Sequence, residues 1–220
     1  MKLTTKSFST FLFATLASLG LVASALAQNP LKAPPAPGAA NITGLLGSTY
    51  AGAAWNYYWL NDGPPSVAHG MTAYFNQALS DDLDLGVIYE RTRTKGAGLS
   101  ATEQKVALAA TSYAKATWGK TFFSASIDRA WRRGDVIGRK GSWGIGAEGG
   151  IEAQVAQNFV LTPFVGWDRE TGFNRNAARL GARATLHICR ELSLTGQAQW
   201  LNYRRAADRA EYSVGMNYHF

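Results

Sequence analysis

Tyr212-Ser213-Val214-Gly215-Met216-Asn217-Tyr218-His219-Phe220 closes the chain. Tyr212, Val214, Met216, Tyr218 and Phe220 share one parity, while Ser213, Asn217 and His219, with Glu211 just upstream, share the other. Successive side chains of an extended strand point to opposite faces, so this period of two predicts a strand with one apolar and one polar side. The pattern recurs further in. Between 141 and 155, Trp143, Ile145, Ala147, Ile151, Ala153 and Val155 oppose Glu148, Glu152 and Gln154; between 178 and 190, Leu180, Ala182, Ala184, Leu186 and Ile188 oppose Arg179, Arg183, Thr185 and His187.

Working back to residue 48, the alternation divides into ten runs, at 48–61, 66–79, 83–94, 103–118, 121–133, 141–155, 159–170, 178–190, 192–204 and 209–220. The connections alternate in length. Short ones fall at Ser80-Asp81-Asp82, Gly119-Lys120, Ala156-Gln157-Asn158 and around Arg190-Glu191; longer ones contain Asp62-Gly63-Pro64-Pro65, Lys95-Gly96-Ala97-Gly98, 135–140, 171–176 and 206–208. Short turns at one end and long loops at the other are the asymmetry of membrane-spanning barrels, and an even strand count leaves both termini at the short-turn end. The fold class is therefore all-β: a single transmembrane antiparallel up-and-down β-barrel of about ten strands, with eight or twelve as the alternatives. Two residues strain the pattern: Arg129 sits on the apolar parity, where it must snorkel to a headgroup, and Pro163 removes a ladder donor inside a run.

A half-buried sheet in a soluble protein alternates in the same way, so parity does not choose between membrane and water. The placement of aromatic residues does. Phe123 and Trp131 lie on the apolar parity eight residues apart, as do Phe159 and Trp167. At about 3.3 Å per residue and a tilt of about 40°, that spacing is roughly 20 Å of height, close to the apolar band of a barrel and its two aromatic girdles. Trp55, Tyr57, Trp59, Tyr89, Trp143, Trp200 and Tyr212 join the outer girdle, and Trp118, Tyr218 and Phe220 the periplasmic one.

The closing residues, from Tyr212 through Val214, Met216 and Tyr218 to Phe220, resemble the C-terminal signature of bacterial outer-membrane proteins. The barrel region as a whole resembles the small Gram-negative outer-membrane barrels, the class that includes OmpA, OmpX and OmpW, although ten strands depart from the eight of those examples. The resemblance implies periplasmic chaperoning, insertion by the barrel-assembly machinery and an integral place in the bacterial outer membrane.

The other end of the chain agrees. Lys2 and Lys6, an apolar stretch from 8 to 22 and the small-residue site Ala25-Leu26-Ala27 read as a secretory signal peptide over 1–27. Residues 28–47 carry Pro30, Pro34, Pro35 and Pro37 without periodicity and read as a flexible Pro/Ala-rich lead-in, which leaves 48–220 for the barrel. No later stretch reaches the roughly 18 apolar residues of a membrane helix. The single Cys189 permits no internal disulfide and no metal-site spacing. Formal charge is +7, or +5 once Lys2 and Lys6 are removed with the leader. In an exported protein that balance points to outer-membrane lipid and the phosphates of lipopolysaccharide, not to nucleic acid. Basic residues gather near the longer loops, among them Arg91, Arg93, Lys95, Arg132, Arg133, Arg139, Lys140, Arg169, Arg175 and Arg209, where they either pair with lipopolysaccharide phosphates or form a solvated loop surface.

Short motifs add little. Gly144-Ile145-Gly146-Ala147-Glu148-Gly149 matches a dinucleotide fingerprint but lacks the strand-to-helix context that the motif requires. Ser112 and Lys115 have opposite parity and so cannot form the nucleophile pair that their spacing suggests. Arg133-Gly134-Asp135 reads as a strand end entering a turn. No nucleophile, acid and imidazole converge, and no cofactor or metal is expected. The constellation that remains is a polar lumen of both signs, centred on Asp128, Glu148, Glu152, Asp168, Arg179, Arg183 and His187. Such groups either pair into a core that fills a narrow barrel or line a thin aqueous passage. The expected function is a non-enzymatic structural or surface-interaction role in the cell envelope. A narrow porin-like channel is the first alternative, and an outer-membrane lipid-modifying enzyme or protease the second.

Overall fold

A computed structural model describes residues 44–60, 67–96, 99–116, 119–135, 138–204 and 208–220. The expected signal peptide, the lead-in before Gly44, Trp118 and the loop around Asp62 to Pro65 lie outside the described residues. The strands are β1 (Tyr50–Leu60), β2 (Val67–Ser80), β3 (Leu83–Gly96), β4 (Leu99–Ala116), β5 (Gly119–Gly134), β6 (Gly138–Ala156), β7 (Phe159–Glu170), β8 (Arg175–His187), β9 (Leu192–Tyr203) and β10 (Arg209–His219). Each pairs antiparallel with its sequence neighbours, and β1 pairs with β10 from Tyr50↔His219 to Leu60↔Arg209, so the sheet closes on itself. Closure leaves no edge strand with unpaired backbone groups, the condition for crossing a bilayer with strands.

Alternation decides the two sides. On β3, Leu85, Val87 and Tyr89 point outward while Asp84 and Glu90 point in; on β10, Val214, Met216 and Tyr218 point outward while Glu211, Asn217 and His219 point in. The outer surface is an apolar band, and the polar residues meet inside. That is the reverse of a water-soluble globule.

Four connections differ from the sequence reading: those at 135–140 and 171–176 lose 138–140 and 175–176 to paired strand, and two more change at a glycine. Lys95 and Gly96 pair with Ser100 and Leu99, so the ladder consumes most of the expected loop and leaves only 97–98 between β3 and β4. Gly119 and Lys120 are strand residues paired with Ala153 and Glu152, not a turn. In both places the gain of ladder hydrogen bonds outweighs the turn preference of glycine. Pro163 has the effect its missing N–H requires: the β6–β7 ladder passes from Gly150↔Phe164 to Ala153↔Leu161 without a pair at the proline.

Candidate functional site

The lumen is built in three layers. At the short-turn end, residues 44–49 leave β1 and cross the barrel floor. The Glu152 carboxylate, on β6 at the opposite side of the ring, accepts the backbone N–H groups of Leu45 at 2.9 Å and Leu46 at 3.2 Å. Asp84 accepts the N–H of Gly47 at 2.8 Å, and Lys120 donates to the carbonyl of Leu46 while lying 3.7 Å from Glu152. Leu46 packs on Tyr113, Phe122 and Phe164, the buried aromatic cluster of the barrel. The crossing strap therefore brings its own unpaired backbone donors to the buried carboxylates of Glu152 and Asp84, so each offsets the desolvation of the other. Gly47 makes the turn with φ +76°, and a Cβ there would lie 2.7 Å from the Tyr113 hydroxyl.

The middle layer holds most of the expected polar cluster. Arg179 Nε lies 2.7 Å from Asp168 and its Nη1 lies 3.3 Å from Glu148; Arg183 reaches Glu148 at 3.8 Å and donates to Gln197 at 3.0 Å. One guanidinium bridging two carboxylates satisfies charges that would be costly alone. These side chains line a cavity of about 330 Å³, together with Lys105, Asp128 and Glu90. That is room for on the order of ten waters.

Toward the loop end, Glu103 on β4 takes Arg132 of β5 at 3.0 Å and Arg175 of β8 at 2.8 Å, and Arg175 also reaches Glu170 at 3.1 Å. Phe173 lies under both guanidinium groups, 5.5 Å from Arg132 and 4.9 Å from Arg175. Beside them, Arg209 stacks on Tyr58 at 4.4 Å and pairs with Glu211 at 3.3 Å, Gln199 donates to Glu211, and Tyr58 donates to Glu90. The remaining gap between these groups is about 40 Å³.

The expected lumen set thus divides. Glu148, Asp168, Arg179 and Arg183 meet; Asp128 lines the same cavity with its Oδ1 unpartnered; Glu152 belongs to the floor. His187 sits apart at the turn end, its ring 5.2 Å from that of His219. There Ser193 lies 2.9 Å from His219 Nε2, but Ser193 is fully buried and Asn217 also donates to it, so the pair is a buried hydrogen bond and offers no exposed nucleophile. Sequence reasoning missed the strap, because alternation reports strand faces and 44–49 has none. It also missed Lys120 and Glu103 as inward partners; the parity of Glu103 was the available signal.

On the outer face, Trp55, Trp59, Trp131, Trp143 and Trp167 are exposed near the loop end and Phe123 near the turn end, while Trp200 is half-buried at the loop end. Phe159 departs from the expected girdle: it is 5 % exposed, because it opens β7 directly after the Gln157-Asn158 turn, where the register shifts between Gln154 and Ala156. Its distance from Trp167 therefore measures no band, whereas Phe123 and Trp131 remain exposed at both levels. Arg129 is accommodated by stacking, 5.0 Å from the Trp143 ring and 5.9 Å from that of Trp131. Asp135 of the Arg133-Gly134-Asp135 tripeptide is tied down by the N–H of Ser100 at 2.8 Å. The six residues of the dinucleotide-like motif lie inside β6.

A closed antiparallel barrel, apolar outside and ion-paired inside, is an outer-membrane-type β-barrel, and this chain has that fold. Solved structures agree: an outer-membrane channel from Pseudomonas putida F1 matches with a TM-score of 0.52 at 12% identity, over 82% of this chain and 98% of that one. The translocator domain of the autotransporter NalP from Neisseria meningitidis matches at 0.47 and 12%, over 98% of each chain, and Neisserial surface protein A at 0.42 and 14%, over 78% of this chain and 97% of that one. At 12% identity the likeness to the Pseudomonas channel is one of fold. No protein-family model matches the chain, and no curated protein does.

Proposed function

We propose that the chain is an integral protein of the bacterial outer membrane whose resting lumen is occluded, and that it serves the envelope as a structural and surface-presenting barrel with no catalytic step of its own. One observation carries this reading: the strap 44–49 closes the floor on buried partners, Lys120 and Glu152 being 5 % and 4 % exposed. A steadily conducting pore needs a continuous wet path; here the floor is backbone, leucine and a satisfied ion pair. In this orientation the strap and Phe220 face the periplasm, and the far ends of β1, β5 and β9 face outward. The barrel-assembly machinery, after periplasmic chaperoning, reads the strand that ends in Phe220.

A second reading, a gated narrow passage, is favoured by the 330 Å³ cavity above the strap. Both are tested by conductance of the full chain in planar bilayers, compared with a variant lacking residues 44–47. The occluded barrel is silent until the deletion opens it. Brief spontaneous steps that the deletion makes permanent would make the strap a gate, and steady conductance by the full chain would overturn occlusion.

A further inference from the structure

The outward positions of the ten strands carry no Asp or Glu, yet they carry seven Lys or Arg residues, all toward the loop end and all within the arc from β3 to β7, on β3, β5, β6 and β7 with β4 contributing none. The opposite half of the barrel, from β8 through β10 and β1 to β2, carries none on its outer face. Charge has been sorted. Arg132, Arg175 and Arg209 turn inward to carboxylates, whereas Arg93, Arg133 and Arg139 are exposed and make no ion pair among the described residues.

Register makes the arrangement sharper. Arg133 stands directly opposite Arg139 across β5–β6, and Arg93 joins the same row through Thr102 of β4. Like charges directly opposed on neighbouring strands destabilise a sheet unless an anion lies between them. The adjacent loop carboxylate, Asp135, is engaged by Ser100. Two same-face rows below, Arg129 lies 5.9 Å from the Trp131 ring and 5.0 Å from the Trp143 ring, so its charge sits where aromatic rings meet headgroups.

We infer that this cationic crescent is a docking surface for phosphate-bearing lipid headgroups of the outer leaflet, with Arg93, Arg133 and Arg139 sharing a phosphate monoester and Arg129 supporting a second. Arg is the side chain suited to it, because its planar donors grip phosphate oxygens in pairs and its charge persists at any physiological pH. The headgroup supplies the missing counter-charge and orders one half of the barrel wall against a saccharolipid such as lipopolysaccharide, while the other half meets ordinary acyl chains. This inference rests on the outer-membrane reading.

The test reconstitutes the full chain in phosphatidylcholine vesicles containing bis-phosphorylated lipid A or its phosphate-free counterpart, extracts it gently and counts retained lipid by native mass spectrometry. Phosphorylated lipid A should be retained and the phosphate-free form lost. The Arg93→Gln/Arg133→Gln/Arg139→Gln variant should bind on the order of a hundredfold more weakly at low ionic strength, with Lys in place of each Arg giving an intermediate loss. Heat-modifiable gel mobility reports separately that the variant barrel is folded and inserted. Equal retention of the two lipids, or unchanged retention by a folded triple variant, overturns the crescent and leaves the barrel standing; a chain that never enters the vesicles overturns both.

Discussion

Arg179 shows how much of the lumen rests on single groups. Its guanidinium holds Asp168 and Glu148 at once, and those carboxylates lie inside a wall whose outer side is apolar. Removing one member of such a set costs more than the set contributes, because the remaining charges stay desolvated. Arg179→Met should therefore lower stability by about 3 kcal/mol, read as the urea midpoint for loss of the compact gel band. Adding Glu148→Gln and Asp168→Asn should restore most of it, and a triple variant as weak as the single one would refute the charge argument. Gly47 is sensitive for a different reason, since φ +76° and the Tyr113 hydroxyl both exclude a side chain. Gly47→Ala should cost about 1–2 kcal/mol in the same assay, whereas Gly196→Ala, whose added Cβ meets nothing within 4 Å, should be near neutral.

At the scale of elements, β10 does two jobs. It pairs with β1 along its length, and its outward row continues to Phe220, whose N–H donates to the Thr49 carbonyl at 3.0 Å and whose ring is 76 % exposed beside Tyr218 and Phe75. A terminal ring so exposed adds little to the folded barrel, so deleting Phe220 should hardly change the unfolding midpoint of protein refolded in detergent. In cells it should sharply reduce the heat-modifiable band in the membrane fraction. Equal loss in both assays would make Phe220 a stability residue and not an assembly signal. Strands of this kind were legible from sequence because parity is a local property: Trp143 and Glu148 declare their faces without reference to any neighbour. The strap at 44–49 was not legible, since its meaning depends on Glu152 and Asp84, both distant in sequence. Phe159 failed for a related reason, because one register shift beside a turn is enough to hide a side chain that parity places outside.

For the molecule as a whole, closure is the property on which the rest depends. A ten-stranded ring joined at β1 and β10 fixes which strands oppose one another, and hence that a strap leaving β1 ends on β6. It also makes strand number and register testable without a membrane structure. Ala53 and Met216 are register partners on the outer face of the seam. With Cys189→Ser removing the exposed native thiol, Ala53→Cys and Met216→Cys should cross-link under copper-catalysed air oxidation in native membranes, because direct partners on adjacent strands bring Cβ atoms to about 4.5–5.5 Å. The oxidised protein should migrate as a compact band even after boiling and return to the extended position on reduction. Ala53→Cys with Tyr218→Cys shifts the pairing by two residues along β10, to about 7–8 Å, and should cross-link far more slowly. An eight-stranded ring would leave β9 and β10 outside the closure, so neither pair would form within one chain; a twelve-stranded ring needs strands that the sequence between 48 and 220 does not contain. Rapid cross-linking of the first pair with slow linking of the second therefore fixes strand number, closure and register together, and the reverse order would mean that the seam is displaced and the strap no longer points at Glu152.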